Sequence, residues 1–346
     1  MSAYLDTRVS LYASRLWPDA AFDDLARTSE DALADTLAQH GLPQLIAGYA
    51  PPAREADAHS LEQRIIGQVL EETQVLIRPL TGDARAFLAF WTARFELSNV
   101  KTLLRSKMSG ERPATALARL TPMGVFGRLD PQDLAHAEDV GELLRRLEAG
   151  PYAGIVHHAR RAFAQNPDPF MLDAALDHGY YEGLGHRARP LEEAAGTALR
   201  SLMAHLIDRI NLVWLLRYRF NYGLPPAQVY YLLVGSRYGL PSARLQALAG
   251  LASLEAVLEA LPAPWHARLA GATDIPTVFA RMEQAAAAHA VQVLRSRAPA
   301  LARAFAYLTL RERDLRAVRA VLRGRHLGLA HADIRLALQR GPLGTM

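Results

Sequence analysis

The feature that most constrains this chain is a short set of residues that returns twice at nearly constant spacing. In "RFELSNVKTLLR" an acid is followed three residues later by Asn, next by an aliphatic residue, and then by a Leu-Arg pair: Glu96, Asn99, Val100, Leu104 and Arg105. The same order recurs in "DRINLVWLLR" as Asp208, Asn211, Leu212, Leu216 and Arg217. A third copy, in "RDLRAVRAVLR", gives Asp314, Ala317, Val318, Leu322 and Arg323, with the Asn replaced. The three arginines stand 112 and 106 residues apart.

A second anchor keeps step and precedes each copy. "DDLARTSEDALADTL", "QDLAHAEDVGELLRRL" and "QALAGLASLEAVLEAL" pair Leu25 with Leu37, Leu134 with Leu147 and Leu248 with Leu261. A break follows each, at Pro43, at Pro151 beside Tyr152, and at Pro264 beside Trp265. Leucine-rich sequence produces chance matches, so the weight rests on two anchors holding one offset three times. That predicts an internal repeat, with units at 1–127, 128–240 and 241–346.

The expected fold class is all-α. The chain is rich in Ala, Leu and Arg, which favour helices, and lacks Val/Ile/Thr runs bounded by turn signals. With 346 residues, half of them hydrophobic, it can bury a large core. Each unit reads as a short helix, a Pro/Gly connection, longer helices, and a final helix carrying the acid-Asn-Arg set, giving three helical bundles. Residues 83–109 contain no Gly or Pro and predict one helix on the order of 40 Å long at ~1.5 Å per residue. Pro190 suits a helix first turn, Gly223 with Pro225 and Pro226 a stop, and "AGYAPPAREADAHS" and "AQNPDPFM" exposed connections.

Helix geometry restricts what the polar residues can do. Phe87, Phe90, Trp91, Leu97, Val100 and Leu104 follow three- and four-residue steps and form one apolar face. Glu96 and Asn99 share a side, but Glu96 and Arg105 lie roughly 180° apart at ~100° per residue, so they cannot pair within one straight helix. The acid needs a partner on another element or else faces water. Two readings follow for the set Glu96, Asn99, Arg105, Asp208, Asn211, Arg217, Asp314 and Arg323. They tie helices together, or they face an opening that a partner enters.

Catalytic chemistry finds little footing. There is no cysteine, hence no disulfide, thiolate metal site or Cys nucleophile. His157 and His158 are adjacent and would diverge on a helix; His326 and His331 are five apart, and no HExxH or Walker A sequence occurs. "GYYEGLG" has loop-like glycine spacing but follows a helical stretch, not a strand. Glu71-Glu72 and Glu192-Glu193 read as solvated pairs. The net charge of +4 is carried almost wholly by dispersed arginine, without the clustered stripe of a nucleic-acid footprint. The most apolar stretch, "SLMAHLIDRINLVWLLRYRF", is interrupted by Asp208, Arg209 and Arg217, so no segment is expected to span a bilayer, and Asp6, Arg8 and Arg15 come too early for a signal-peptide core. No metal, cofactor, nucleic acid or small-molecule substrate is expected.

Taken in order, "YLDTRVSLYASRL", "FELSNVKTLLRSK", "LDHGYYEGL", "DRINLVWLLRYRFNYG" and "RERDLRAVRAVLRGRHLGLAHADIRLAL" resemble the C subunit of prokaryotic A/V-type (V-type) ATPases, whose eukaryotic counterpart is the d subunit. The chain departs from that pattern at Ala317 and in using Arg for most Lys. The resemblance implies three similar bundles around a pseudo-threefold axis as a funnel. It also implies a non-catalytic rotor subunit on the cytoplasmic side of the membrane, a peripheral socket between the central stalk subunits and the proteolipid ring. The alternative is a free-standing helical-repeat scaffold for a protein or RNA partner.

Overall fold

The computed structural model describes residues 2–42, 45, 55–165, 168–194 and 196–340, and among these every regular element is helical. The N-terminal segment forms α1 (Ser2–Ala13), α2 (Asp19–Arg27), α3 (Glu30–Gln39) and α4 (Glu55–Ile77). Then come α5 (Gly82–Trp91), α6 (Ala93–Ser109), α7 (Pro113–Ala118), α8 (Pro131–Ala135), α9 (Val140–Glu148), α10 (Ala153–Gln165) and α11 (Pro169–Ala194). The remainder forms α12 (Gly196–Leu216), α13 (Pro226–Leu232), α14 (Ser242–Ala249), α15 (Leu254–Glu259), α16 (Ala263–Leu269), α17 (Ile275–Arg295), α18 (Ala300–His326) and α19 (His331–Arg340). No described helix is long and apolar enough to cross a membrane.

The chain divides into two compact units: residues Met1–Ile65 with Leu191–Met346, and Ile66–Pro190. In the Ile66–Pro190 unit the predicted apolar face is the core, with Phe87, Phe90, Trp91, Leu97, Val100 and Leu104 all buried. Its long helix α11 runs against α6: Lys101 pairs with Asp177 and Arg105 with Asp173, one turn further along in opposite senses. Tyr180 adds a hydrogen bond to the Trp91 carbonyl at 3.1 Å. In the other unit α12, α17 and α18 pack on one another, and α1 lies along α18. Arg303 of α18 reaches Asp6 of α1 at 2.6 Å, and Tyr12 stacks on Tyr307.

The three leucine-spaced anchors are each two short helices joined at an N-cap. Ser29, Asp139 and Ser253 accept from the backbone N–H of Ala32, Glu142 and Ala256, satisfying donors the helix cannot. Leu25, Leu37, Leu134, Leu147, Leu248 and Leu261 are all buried. The leucine spacing thus marks a capped helix pair.

Several expectations are corrected. Residues 83–109 are not one helix: Thr92 separates α5 from α6, and its hydroxyl donates to the Ala89 carbonyl at 2.7 Å. That bond competes with the helical ladder, so a break arises without Gly or Pro. Pro190 lies inside α11, and α12 begins instead at Gly196, whose φ of 67° suits glycine. Gly223 does follow the end of the α12 run, after a wide π-type turn at Arg217–Asn221. Of the two expected connections, residues 47–54 and 166–167 lie outside the described residues, while 55–60 and 169–171 are helical. Pro43 and the His326 side chain also lie outside them.

Candidate functional site

The recurring acids are buried, and each binds main-chain N–H groups of a loop. Glu96, 4% exposed, accepts from Arg128 N at 2.7 Å and Leu129 N at 3.0 Å, and from the Tyr152 hydroxyl at 2.6 Å. Asp208, 1% exposed, accepts from Leu240 N at 3.0 Å and also from Gly239 N and the Trp265 and Ser236 side chains. Asp314, 2% exposed, accepts from Trp17 N at 3.0 Å.

A carboxylate has about four acceptor sites, so one side chain can hold two loop amides and an aromatic donor together. Hydrogen bonds to a charged acceptor are worth roughly 1.5–3 kcal/mol each, about twice a neutral pair. Such bonds favour the charged form and help an acid tolerate this depth.

The asparagines act one turn along, again on backbone. Asn99 gives its amide N–H to Thr121 O and takes Thr121 N–H, both at 2.8 Å. Asn211 does the same with Val234, at 2.9 and 2.8 Å. Each amide imitates a strand neighbour, completing both polar groups of one loop residue. The third copy holds Ala317 and has no such side chain.

The acids also fix how the two anchors relate. Glu96 binds residues 128–129, just before the second anchor, and Tyr152 just after it. Asp208 brackets the third anchor in the same way, through Gly239, Leu240 and Trp265. Asp314 binds Trp17, just before the first anchor, 297 residues away. Each acid-bearing helix is therefore bonded to the anchor that follows it along the chain, and the last is bonded to the first.

The arginines of the set diverge. Arg105 is largely exposed and pairs with Asp173. Arg217 is half-buried at the start of the π-type turn, and Arg323 is exposed on α18. None meets the acid of its own helix, as the half-turn offset requires.

Several structural residues carried no signal in the sequence pattern. Glu283 of α17 receives Arg209 of α12 and Arg316 of α18, joining three helices through one carboxylate. Arg219 gives hydrogen bonds to three carbonyls, Ala249, Leu224 and Leu251, closing the end of α14. Glu72 and Glu192 are buried, unlike their neighbours Glu71 and Glu193, a correction to the reading of both pairs as solvated. Consecutive helical residues point about 100° apart, so one of each pair turns inward. Glu192 there meets Arg237 at 2.5 Å and the Tyr238 hydroxyl at 2.6 Å.

Electrostatics set these groups apart. Burial raises Asp208 to about 6, against the lowering effect of its loop donors. One turn away, burial lowers His205 to about 4, assisted by His289, on which its ring stacks at 4.7 Å, and by Arg268 and Arg209. Burial and Glu96 raise the Tyr152 phenol, so it stays neutral and donates. Among the described residues no group of three His, Asp or Glu side chains is arranged to hold a metal. The geometry fastens loops to helices.

The model of the ATP synthase (C/AC39) subunit family matches residues 5–336. The chain belongs to this family. Among curated relatives, the A-type ATP synthase C subunit of Thermococcus kodakarensis is 21% identical over 332 residues, covering 93% of this chain and 86% of that protein. The A-type ATP synthase C subunit of Methanocaldococcus jannaschii is 23% identical, over 77% of this chain and 66% of the relative. The V-type ATP synthase C subunit of Deinococcus radiodurans is 25% identical, over 60% and 58%. The match to the Methanosphaera stadtmanae relative spans about half its length, 48%. The family accounts for the resemblance carried by the acid-Asn-Arg helices, and the relatives are subunits of ATP synthases by name.

Proposed function

We propose that this chain is a non-catalytic rotor subunit of an A/V-type ATPase, a socket that couples the central stalk to the membrane proteolipid ring on the cytoplasmic side. The observation that carries the reading is the family match over residues 5–336 of a chain whose buried acids serve as loop fasteners. A part that transmits torque needs stiffness, and hydrogen-bonded loops between long helices supply it. In this reading the three acid-bearing helices belong to three similar bundles around a pseudo-threefold axis, forming a funnel. The bonding of the last helix to the first anchor is what a closed arrangement of repeats requires.

The test is co-purification and reconstitution of the intact complex. Wild-type chain is expected to copurify with stalk and proteolipid subunits, and charge reversal of Arg323, Arg217 and Arg105 to weaken stalk binding. Arg323→Glu alone separates binding from folding, because that side chain is exposed. Undiminished stalk binding by a correctly folded triple variant would overturn the role given to the arginines. Absence of every stalk and ring subunit from the purified wild-type assembly would overturn the rotor reading in favour of a free-standing scaffold. Small-angle scattering tests the shape: a three-lobed body with a central depression is expected, and a single solid globule would contradict it.

A further inference from the structure

The arginines of α18 are paired off almost completely. Arg303 meets Asp6, Arg316 meets Glu283 and Arg319 meets Glu62. Arg311 and Arg325 give hydrogen bonds to the His40 and Thr28 carbonyls, and Arg313 lies over the Phe22 ring. Arg323 is the exception: it is exposed, and among the described residues it has neither an acid nor an acceptor.

Four residues further on, and so on the same side of the helix, Leu327 is 61% exposed. It opens a run, "LGLAHAD", in which every residue from 327 to 333 is exposed. The backbone explains why. Leu329 N–H bonds to Gly324 O and Gly328 N–H to Arg325 O, both at 2.9 Å, with Gly328 at a φ of 66°. A helix that ends this way usually rests the residue in the Leu329 position on an apolar side chain one turn back. Here Arg323 and Gly324 hold that place. Gly324 is required by packing, since a Cβ would stand 2.7 Å from Cγ1 of the buried Ile334, where α19 packs on α18. Leu329 is thereby left 44% exposed.

Exposed apolar runs rimmed by charge mark contact surfaces. Arg335, exposed and likewise without a described partner, follows the run and adds a second cation, against one exposed carboxylate, Asp333. The excess is positive, so the complementary surface is acidic. Anionic lipid headgroups would set like charge against Asp333, whereas a protein surface can answer both signs.

We infer that the α18–α19 turn, through Arg323, Leu327 and Leu329, is a docking point for an amphipathic partner helix whose apolar stripe is bordered by carboxylates. The two leucines enter the stripe, and the planar fork of Arg323 takes a carboxylate at its edge. The inference rests on the reading above, in which Arg323 meets a partner subunit, and adds the place and the kind of surface that partner offers.

The chain has no cysteine, so L329C carries its only thiol. A fluorescent maleimide is expected to label the free variant readily and to leave it unlabelled within the purified ATPase complex. R323E and L327E, both at exposed positions, are expected to lower incorporation of the chain into that complex about tenfold or more, with R323K largely keeping it. Ready labelling of L329C inside a complex that contains the stalk subunits would overturn the docking point and leave the rotor reading intact. A wild-type assembly without those subunits removes both. Shielding of the free variant by phosphatidylglycerol vesicles would assign the turn to a lipid surface, and shielding that rises with chain concentration would assign it to a second copy. Either result overturns the partner named here.

Discussion

Asn211 and Val234 exchange a pair of hydrogen bonds, the asparagine amide giving to the valine carbonyl at 2.9 Å and receiving its N–H at 2.8 Å. With Asn211 wholly buried, no water can replace either bond. N211A therefore leaves both polar groups of Val234 without partners and is expected to cost about 2–4 kcal/mol. N99A is expected to behave alike through Thr121. Denaturant midpoints read the effect, and a loss of less than about half a kcal/mol in both, below the net worth of a single hydrogen bond, would show that the loops are held by something else.

Tyr152 and the two loop amides divide the Glu96 carboxylate. Y152F removes one donor and keeps the ring, for an expected loss of about 1–2 kcal/mol. E96A removes all the acceptors together and should cost more, about 3 kcal/mol. Hydrogen exchange discriminates the two: the Arg128 and Leu129 amides should exchange faster in E96A and stay protected in Y152F.

Two glycines predict opposite signs. At Gly239 a Cβ would lie 2.6 Å from Asp208 Oδ2 and 3.3 Å from Trp265 Nε1, inside the hydrogen-bonded cluster. G239A is expected to destabilise by about 1–3 kcal/mol through overpacking. Gly185, inside α11, has nothing within 4 Å of the same position, and G185A should stabilise by roughly 0.5–1 kcal/mol through helix propensity. Thermal midpoints moving in one direction for both would contradict this account.

Asp208 and His205 make opposing contributions to pH dependence. Asp208 is raised from 3.8 to about 6 in the folded chain, so its protonated form favours folding and that contribution is lost as pH rises from about 4 to 6. His205 is lowered from 6.5 to about 4, so its contribution is present above 6.5 and lost as pH falls toward 4. Across the interval from about pH 4 to 6 the two slopes oppose each other. H205F removes one of them, so the variant is expected to gain stability at about pH 5 relative to about pH 7 when compared with wild type. Urea midpoints at the two pH values measure it, and identical pH profiles would rule the coupling out.

Much of the helix pattern is legible in the sequence because burial follows periodicity, and the apolar face from Phe87 to Leu104 is the core of its unit. The need of Glu96 for a partner from another element is legible too, since a half-turn separates it from Arg105. The partner itself is not. Arg128 and Leu129 bind through main-chain N–H groups, which every non-proline residue carries and no side-chain pattern reveals. The break at Thr92 is hidden for a related reason: a hydroxyl turned back on Ala89 O does locally what Gly or Pro would announce openly. The inward turn of Glu192 depends on Arg237 and Tyr238, 45 and 46 residues on, beyond any local window.

The bond from Trp17 N to Asp314 also sets a schedule. The first helices leave the ribosome well before the residue that fastens them, which follows 297 positions later. At roughly 5–20 residues per second that is about 15–60 s of synthesis. During that interval Leu5, Val9 and Leu25 lack α18, the helix laid against α1 and α2 in the finished unit. This segment is thus made long before it is completed, and a truncation that removes α18 should leave those three side chains as the chain's first point of failure.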